Sequence, residues 1–583
     1  MLRFILIALF LLELLCAADL DYAQAKKYLR EERYPEAAKV LAYVGAHRRY
    51  LRPYCDYYRA VAASRQKQYI QAARMLEKYT AQQNIPYQDA ALELLNECYV
   101  QLGREQDIQP LAAHKQALRL FRQVDYQGAL RLWQLVSANG AMSLLPEDSY
   151  YYLARSYMYC ADPEEARRIL ESRSGAGAVY YLGALAQHRK QYKLADSKYR
   201  EVLAKYPDSE YAPQALFNLA RRSSGTARLN YYRQLYKKYP GSRYADDAAW
   251  ETAWEYYAKK QYRAAAQIFL EGYALDKKSD HADALLYWAG KACQKLGEAG
   301  EAERLFLLAR QEFPARFYGW RAAQQLKLPP PLPAGQLSLQ DIRPRTDRAL
   351  REFLESGEYD DALAEAERIA DQEKKEQTLA ALKIYMADAA YRAGDYKEAI
   401  KLSSDTLHNN PEYAAILPDL WRICYPRAFR REVELNAWKN SLDENYVYAL
   451  IREESMYDAL ALSPADAYGL MQVIPPTAAQ IFAKLGFTEE LAADVLFQPE
   501  INVQLGSYYL REMLNWFEGN PYLALAAYNA GPTVVGRWLR QQGGLARFDV
   551  DNFVENISYP ETRNYVKRVM RGYWLYSTLY PED

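Results

Sequence analysis

The sequence predicts an all-α chain in two parts: a superhelical array of helical hairpins, then a separate helical domain at the C-terminal end. Three observations predict it. KYPDSEYA at 205–212 returns as KYPGSRYA at 238–245, and a period of 33 residues belongs to helix-hairpin repeats. The chain holds 54 tyrosines but only 26 glycines among its 583 residues, a composition of large amphipathic side chains that suits packed helices better than loops. Beyond residue 435, apolar residues recur at helical spacing between proline, asparagine and glycine punctuation. The length exceeds what one core usually organises. Basic and acidic residues balance at 74 each, with no basic tail, which argues against nucleic acid as a partner.

Residues 1–18 read as an export signal. Arg3 gives the positive start, Phe4 to Leu15 an apolar stretch interrupted by Glu13, and Cys16-Ala17-Ala18 a small-residue site with cleavage after Ala18. The bulky Leu15 disfavours a lipid anchor on Cys16. No later apolar run reaches the roughly 18 residues needed to span a bilayer.

Residues 19–325 read as the repeat array, with ERYPEAAKVL around Tyr34, KQYIQAARML around Tyr69 and KQYRAAAQIF around Tyr262. These stretches resemble tetratricopeptide-type hairpins, in which the aromatic plugs the gap between two helices and the alanines admit the next one. LKLPPPLPAGQ, at 326–336, removes backbone donors and favours an extended strap, so 326–345 is a linker. GEYDDALAEA around Tyr359 and GDYKEAIKLS around Tyr396 place further repeats in 346–435, and Pro411, Pro418 and Pro426 lead into a terminal domain at 436–583. Such an array forms a curved wall suited to a long polymer or to a protein partner.

All histidines and cysteines lie before residue 425, so the terminal domain by itself offers no histidine triad, no cysteine nucleophile and no zinc site. In NYVYALIREES, Val447, Leu450, Ile451 and Glu454 are spaced i, i+3, i+4 and i+7, on one helical face. Glu454 therefore continues an apolar stripe, whereas Glu453 falls on the flank as surface decoration. A carboxyl against an apolar wall holds its proton to higher pH, the property a general acid requires. From phase alone, a helix-ending carboxyl paired with an arginine fits equally well. Ser463-Pro464 begins an irregular stretch, Gly469-Leu470-Met471-Gln472 makes a tight turn, and Pro475-Pro476 restarts a helix. NPYLALAAYNAGP, at 520–532, is capped by Asn520, stopped at Gly531-Pro532, and carries Tyr528 and Asn529 at its end.

ALIREES, SPADAYGLMQVIPPTA, NVQLGSYYL, AAYNAGP and ETRNYVKRV occur in the order and spacing of the soluble lytic transglycosylases, and the chain resembles that family over 310–575. ARFYGWRAAQQL at 315–326 and ICYPRAF at 423–429 look like segments that precede the catalytic module in its large, ring-shaped members. The resemblance implies a goose-type-lysozyme-like catalytic domain and a periplasmic enzyme acting on peptidoglycan glycan strands without cofactor or metal. It implies Glu454 as the single catalytic acid and base. It also implies a saccharide cleft lined by Ser455, Ser463, Met471, Gln472, Tyr528, Asn529, Glu561 and Tyr565, with Tyr528 expected to hydrogen-bond the glutamate or the developing charge. Ser558 stands where the family usually has proline. Two alternatives stay open: a hydrolytic muramidase using Asp458 or Asp466 as second carboxylate, and a non-enzymatic periplasmic adaptor working through the repeats.

Overall fold

The computed structural model describes residues 21–581 apart from 161, 330–334, 336, 343, 374–375, 411–412, 414–415 and 487–491. The expected export signal and most of the expected proline strap lie outside the described residues. Every regular element among the described residues is a helix, and β-pairing is limited to two isolated bridges, Leu462–Tyr468 and Tyr468–Val473. No described helix is long and apolar enough to cross a membrane.

The repeat hairpins share one local construction. A residue in the left-handed region sits two positions before the helix-opening tyrosine: Glu32 before Tyr34, Lys67 before Tyr69, Val124 before Tyr126, Lys190 before Tyr192, Gly357 before Tyr359 and Gly394 before Tyr396. That residue reverses the chain at the helix C-terminus. The tyrosine then opens the second helix, and the alanine three residues on, Ala37, Ala72, Ala129, Ala195, Ala362 or Ala399, is fully buried. The expected plug is thus smaller than the aromatic. Most of these tyrosines are half-buried at the hairpin mouth and Tyr192 is exposed, while the Cβ of the alanine marks the close approach.

Packing divides the chain into two interleaved units. The first comprises 1–258, 274–277 and 346–374. Here Arg348–Glu355 and Tyr359–Glu373 pack with the N-terminal hairpins through buried polar groups. Asp361 is fully buried and accepts hydrogen bonds from Lys26 Nζ (2.8 Å), Tyr22 (3.1 Å), Tyr58 (2.9 Å) and Tyr87. Its charge is compensated by the ammonium and three phenols, the condition under which a buried carboxylate is tolerated.

The second unit comprises 259–273, 278–345 and 375–583. Its terminal helices dock onto Ala282–Leu296 and Phe317–Leu326. Trp574 stacks on Trp320 with ring centroids 5.7 Å apart, and Asp551 accepts from Arg321 (2.7 Å), Tyr287 (2.6 Å) and Lys291 (3.0 Å). Tyr318 donates to Glu555, which also pairs with Lys567. The aromatic-rich stretch after residue 315 is therefore a platform under the terminal helices. Within these, Glu444–Ser455 packs along Pro560–Leu579, and Pro499–Trp516 and Pro521–Ala530 lie alongside. Proline opens four of the helices around the site, at Pro475, Pro499, Pro521 and Pro560, where its missing N–H costs nothing.

Candidate active site

Helix Glu444–Ser455 is buried from Asn445 through Ile451, on every side rather than along one stripe. Val447, Leu450 and Ile451 are fully buried, and Glu454 follows them in phase at the last turn, half-buried. Its Oε1 accepts a hydrogen bond from the Tyr565 hydroxyl at 2.6 Å, donated from helix Pro560–Leu579. Burial pushes the Glu454 carboxyl up to about 8, with the Glu453 charge adding to the rise. The Tyr565 hydrogen bond and the Arg568 cation oppose it. Burial and the nearby glutamate also push the Tyr565 phenol up, so Tyr565 acts as a neutral donor.

Because the helix lacks a solvated face, Glu453 is not surface decoration. Its side chain is 16% exposed and pairs with Arg568 Nε at 2.5 Å, while Arg568 Nη2 reaches Glu561 at 3.1 Å. Arg452, on the far side, lies over the Tyr425 ring at 4.0 Å and donates to the Cys424 carbonyl. Among the described residues, no cation hydrogen-bonds Glu454 itself.

The loop after the helix is fastened from three sides. Ser455 is buried and donates to the Leu470 carbonyl at 2.8 Å. Asn502, wholly buried on helix Pro499–Trp516, accepts from Met471 N and donates to the Tyr468 and Leu496 carbonyls, each at 2.7 Å. The Tyr528 hydroxyl donates to the Met471 carbonyl at 2.9 Å. Gly469, at φ +71°, passes so close to Asn502 and the Leu496 carbonyl that a Cβ there would lie 2.4–2.5 Å from them. Gln472, at φ +48°, donates its side-chain amide to the Gly469 and Ala461 carbonyls.

This geometry redistributes the expected roles. Tyr565, not Tyr528, holds the glutamate; Tyr528 is turned to the loop backbone, and its phenol is pushed up by burial with Glu454 as a further cause. Ser455, expected in the cleft, is committed to a backbone carbonyl, and Met471, also expected there, has no exposed surface. Met471 fills the notch over Gly506, where a Cβ would meet its side chain at 2.6 Å. Ser463 accepts from Ala465 N and Ala467 N and shapes the irregular stretch. Asn529 is exposed and accepts from Thr562, joining the ends of two helices, and the Glu561 side chain is 76% exposed. Among the expected second carboxylates, Asp458 is paired with Lys397 at 2.6 Å and Asp466 is exposed.

Sequence reasoning passed over Asn502 and Arg568. Asn502 shares a helical face with Leu505, Gly506, Tyr509 and Met513, so a polar residue on an apolar stripe was the available signal, the same one that located Glu454. Arg568 lies seven residues after Glu561 on one helix, and its partner Glu453 was assigned to solvent.

A scan of protein families matches residues 433–550 to the "Transglycosylase SLT domain". The soluble lytic murein transglycosylase of Salmonella typhimurium is 38% identical over 129 residues, 22% of this chain and 20% of the relative. That of Escherichia coli K12 is 34% identical over 146 residues, 25% and 22% of the two chains. The match thus spans about a fifth of the length of these relatives. Among solved structures, lytic transglycosylase Slt of Pseudomonas aeruginosa, solved as an inactive glutamate-to-glutamine mutant, gives a TM-score of 0.63 at 22% identity over 96% of both chains. The 70 kDa soluble lytic transglycosylase of Escherichia coli gives 0.58 at 19% identity, again over 96% of both. At such identities the likeness shows the fold, an all-helical one shared along the chain.

Proposed function

We propose, on the premise that residues 433–550 are a transglycosylase SLT domain, that the chain is an exported peptidoglycan lytic transglycosylase of the periplasm with Glu454 as its acid and then its base. Protonated at neutral pH, Glu454 gives its proton to the glycosidic oxygen between N-acetylmuramic acid and N-acetylglucosamine as the C1–O bond breaks. The substrate's acetamido oxygen steadies the oxocarbenium-like carbon. The muramyl C6 hydroxyl then attacks C1 and returns its proton to the Glu454 carboxylate, leaving a 1,6-anhydro sugar and consuming no water. Tyr565 stays fixed on the carboxyl throughout, a preorganised donor that needs no reorganisation as charge develops.

One observation carries this reading: a half-buried carboxyl at the last turn of a buried helix, hydrogen-bonded by the Tyr565 hydroxyl at 2.6 Å and, among the described residues, by no cation, with burial pushing it up to about 8. Such a group delivers a proton and recovers one near neutral pH. The second-carboxylate alternative is disfavoured because Asp458 is tied to Lys397 and Asp466 stands in an exposed stretch. Groove residues for the glycan remain Ser463, Gln472, Asn529 and Glu561 around the Glu454–Tyr565 pair, with the repeats guiding the strand or seating a protein partner. Incubation with sacculi and mass analysis of the released fragments tests the proposal. Wild-type protein yields muropeptides each one water lighter than hydrolysed ones, and Glu454→Gln yields none while remaining folded. Hydrolysed fragments, or undiminished release by Glu454→Gln, would overturn it.

A further inference from the structure

Two glutamates stand side by side in the site, and the chemistry needs a proton on one of them. We propose that Arg568 is a positioning residue that allocates this proton, holding Glu453 in an ion pair so that Glu454 alone carries and releases it. The inference rests on the reading of Glu454 as the acid.

The geometry is asymmetric. Arg568 Nε lies 2.5 Å from Glu453 Oε1, and its Nη2 is held from the other side by Glu561 at 3.1 Å, so the guanidinium is fixed between two carboxylates. Glu454 receives only the neutral Tyr565 hydroxyl. A cation in direct contact occupies the Glu453 carboxylate, while a neutral donor leaves Glu454 free to bind a proton. Without the cation, a second unpaired carboxylate would stand next to Glu454 in the chain. The other groups facing Glu454 are the Tyr528 phenol and, on its own helix, the Glu453 charge. In the loop that follows, Asp458 is neutralised by Lys397 and Asp466 is exposed.

The signature is a pair of opposite displacements in the alkaline limb of the pH–rate profile for muropeptide release. Glu453→Gln removes the like charge and leaves the cation, so the limb moves down by about one pH unit or more. Arg568→Met removes the cation and leaves the like charge, so the limb moves up by a similar amount, with slower release at pH 7. Arg568→Lys keeps the charge and returns the limb toward the wild-type position, as does the double variant Glu453→Gln/Arg568→Met. Limbs that stay in place, or that move in the same direction in both single variants, would overturn the proposal, because a merely structural pair lowers activity without moving the profile. Isotope-edited infrared titration of the glutamate carboxyls, with Glu454→Gln as the difference reference, reads the same displacements without turnover. A wild-type protein that releases no fragments therefore defeats the enzymatic reading alone, and coincident infrared titrations defeat the proton allocation alone.

Discussion

Glu454 closes a helix whose preceding turns, Asn445 through Ile451, are buried, and two consequences follow for single side chains. The Tyr565 hydroxyl favours the ionised carboxylate, so Tyr565→Phe pushes Glu454 higher still and weakens it as an acid. A charge-assisted hydrogen bond contributes about 1.5–3 kcal/mol, so release falls on the order of 10–100-fold and the alkaline limb moves up. Tyr528→Phe, by contrast, frees the Met471 carbonyl and loosens the loop, raising KM without moving the limb. Stability carries the same signature. The folded carboxyl is raised to about 8 from an ordinary value near 4.5, so its contribution is fully present below pH 4.5 and lost as pH rises through 8. Glu454→Gln therefore melts progressively higher than wild type between pH 5 and pH 9 in thermal scans. Helical phase located this glutamate from sequence because the period is a property of the backbone. It missed the burial of Glu453 and its pairing with Arg568, because a helix enclosed on all sides shows no polar face to warn of it.

Among the elements, the hairpin turns and the loop at 456–474 differ in what holds them. The turns require one left-handed residue each, and Val124, a β-branched residue at φ +68°, is the most strained of those that open a repeat hairpin. Val124→Gly relieves about 1–2 kcal/mol of strain against a smaller loss of unfolded-state restriction, for a net gain of about 0.5–1 kcal/mol in denaturant melts. The loop has little regular structure and is held by Asn502. Asn502→Ala deletes three buried hydrogen bonds and orphans Met471 N, costing about 2–4 kcal/mol, and glycan binding weakens with it. Gly469→Ala forces a Cβ against the Leu496 carbonyl and the Asn502 amide and has the same effect without removing a hydrogen-bonding group. The repeats were legible because their period recurs in the sequence. The loop's anchorage was not, since Asn502 meets its partners only once the helices have packed.

For the molecule as a whole, the legible order of segments and the packed order differ. Composition and repeats disclose helices, yet nothing local in GEYDDALAEA announces that Asp361 will be met by Lys26 and three tyrosines from the other end of the array. The second unit depends likewise on Asp551. Asp551→Asn leaves Lys291 and Arg321 without their carboxylate and costs about 3–5 kcal/mol, read as a lower melting temperature of that unit. The cations hold the Asp551 carboxyl below its ordinary range against the opposing effect of burial, so its contribution persists at neutral pH and disappears on acidification through that lowered value. The interleaving also sets a timetable for biogenesis. A ribosome delivers Lys26 and Tyr22 more than 300 residues before Asp361, so the opening hairpins wait, short of their last partners, until residue 374 has been made. Nascent chains stalled short of that point are the ones a housekeeping protease will clear.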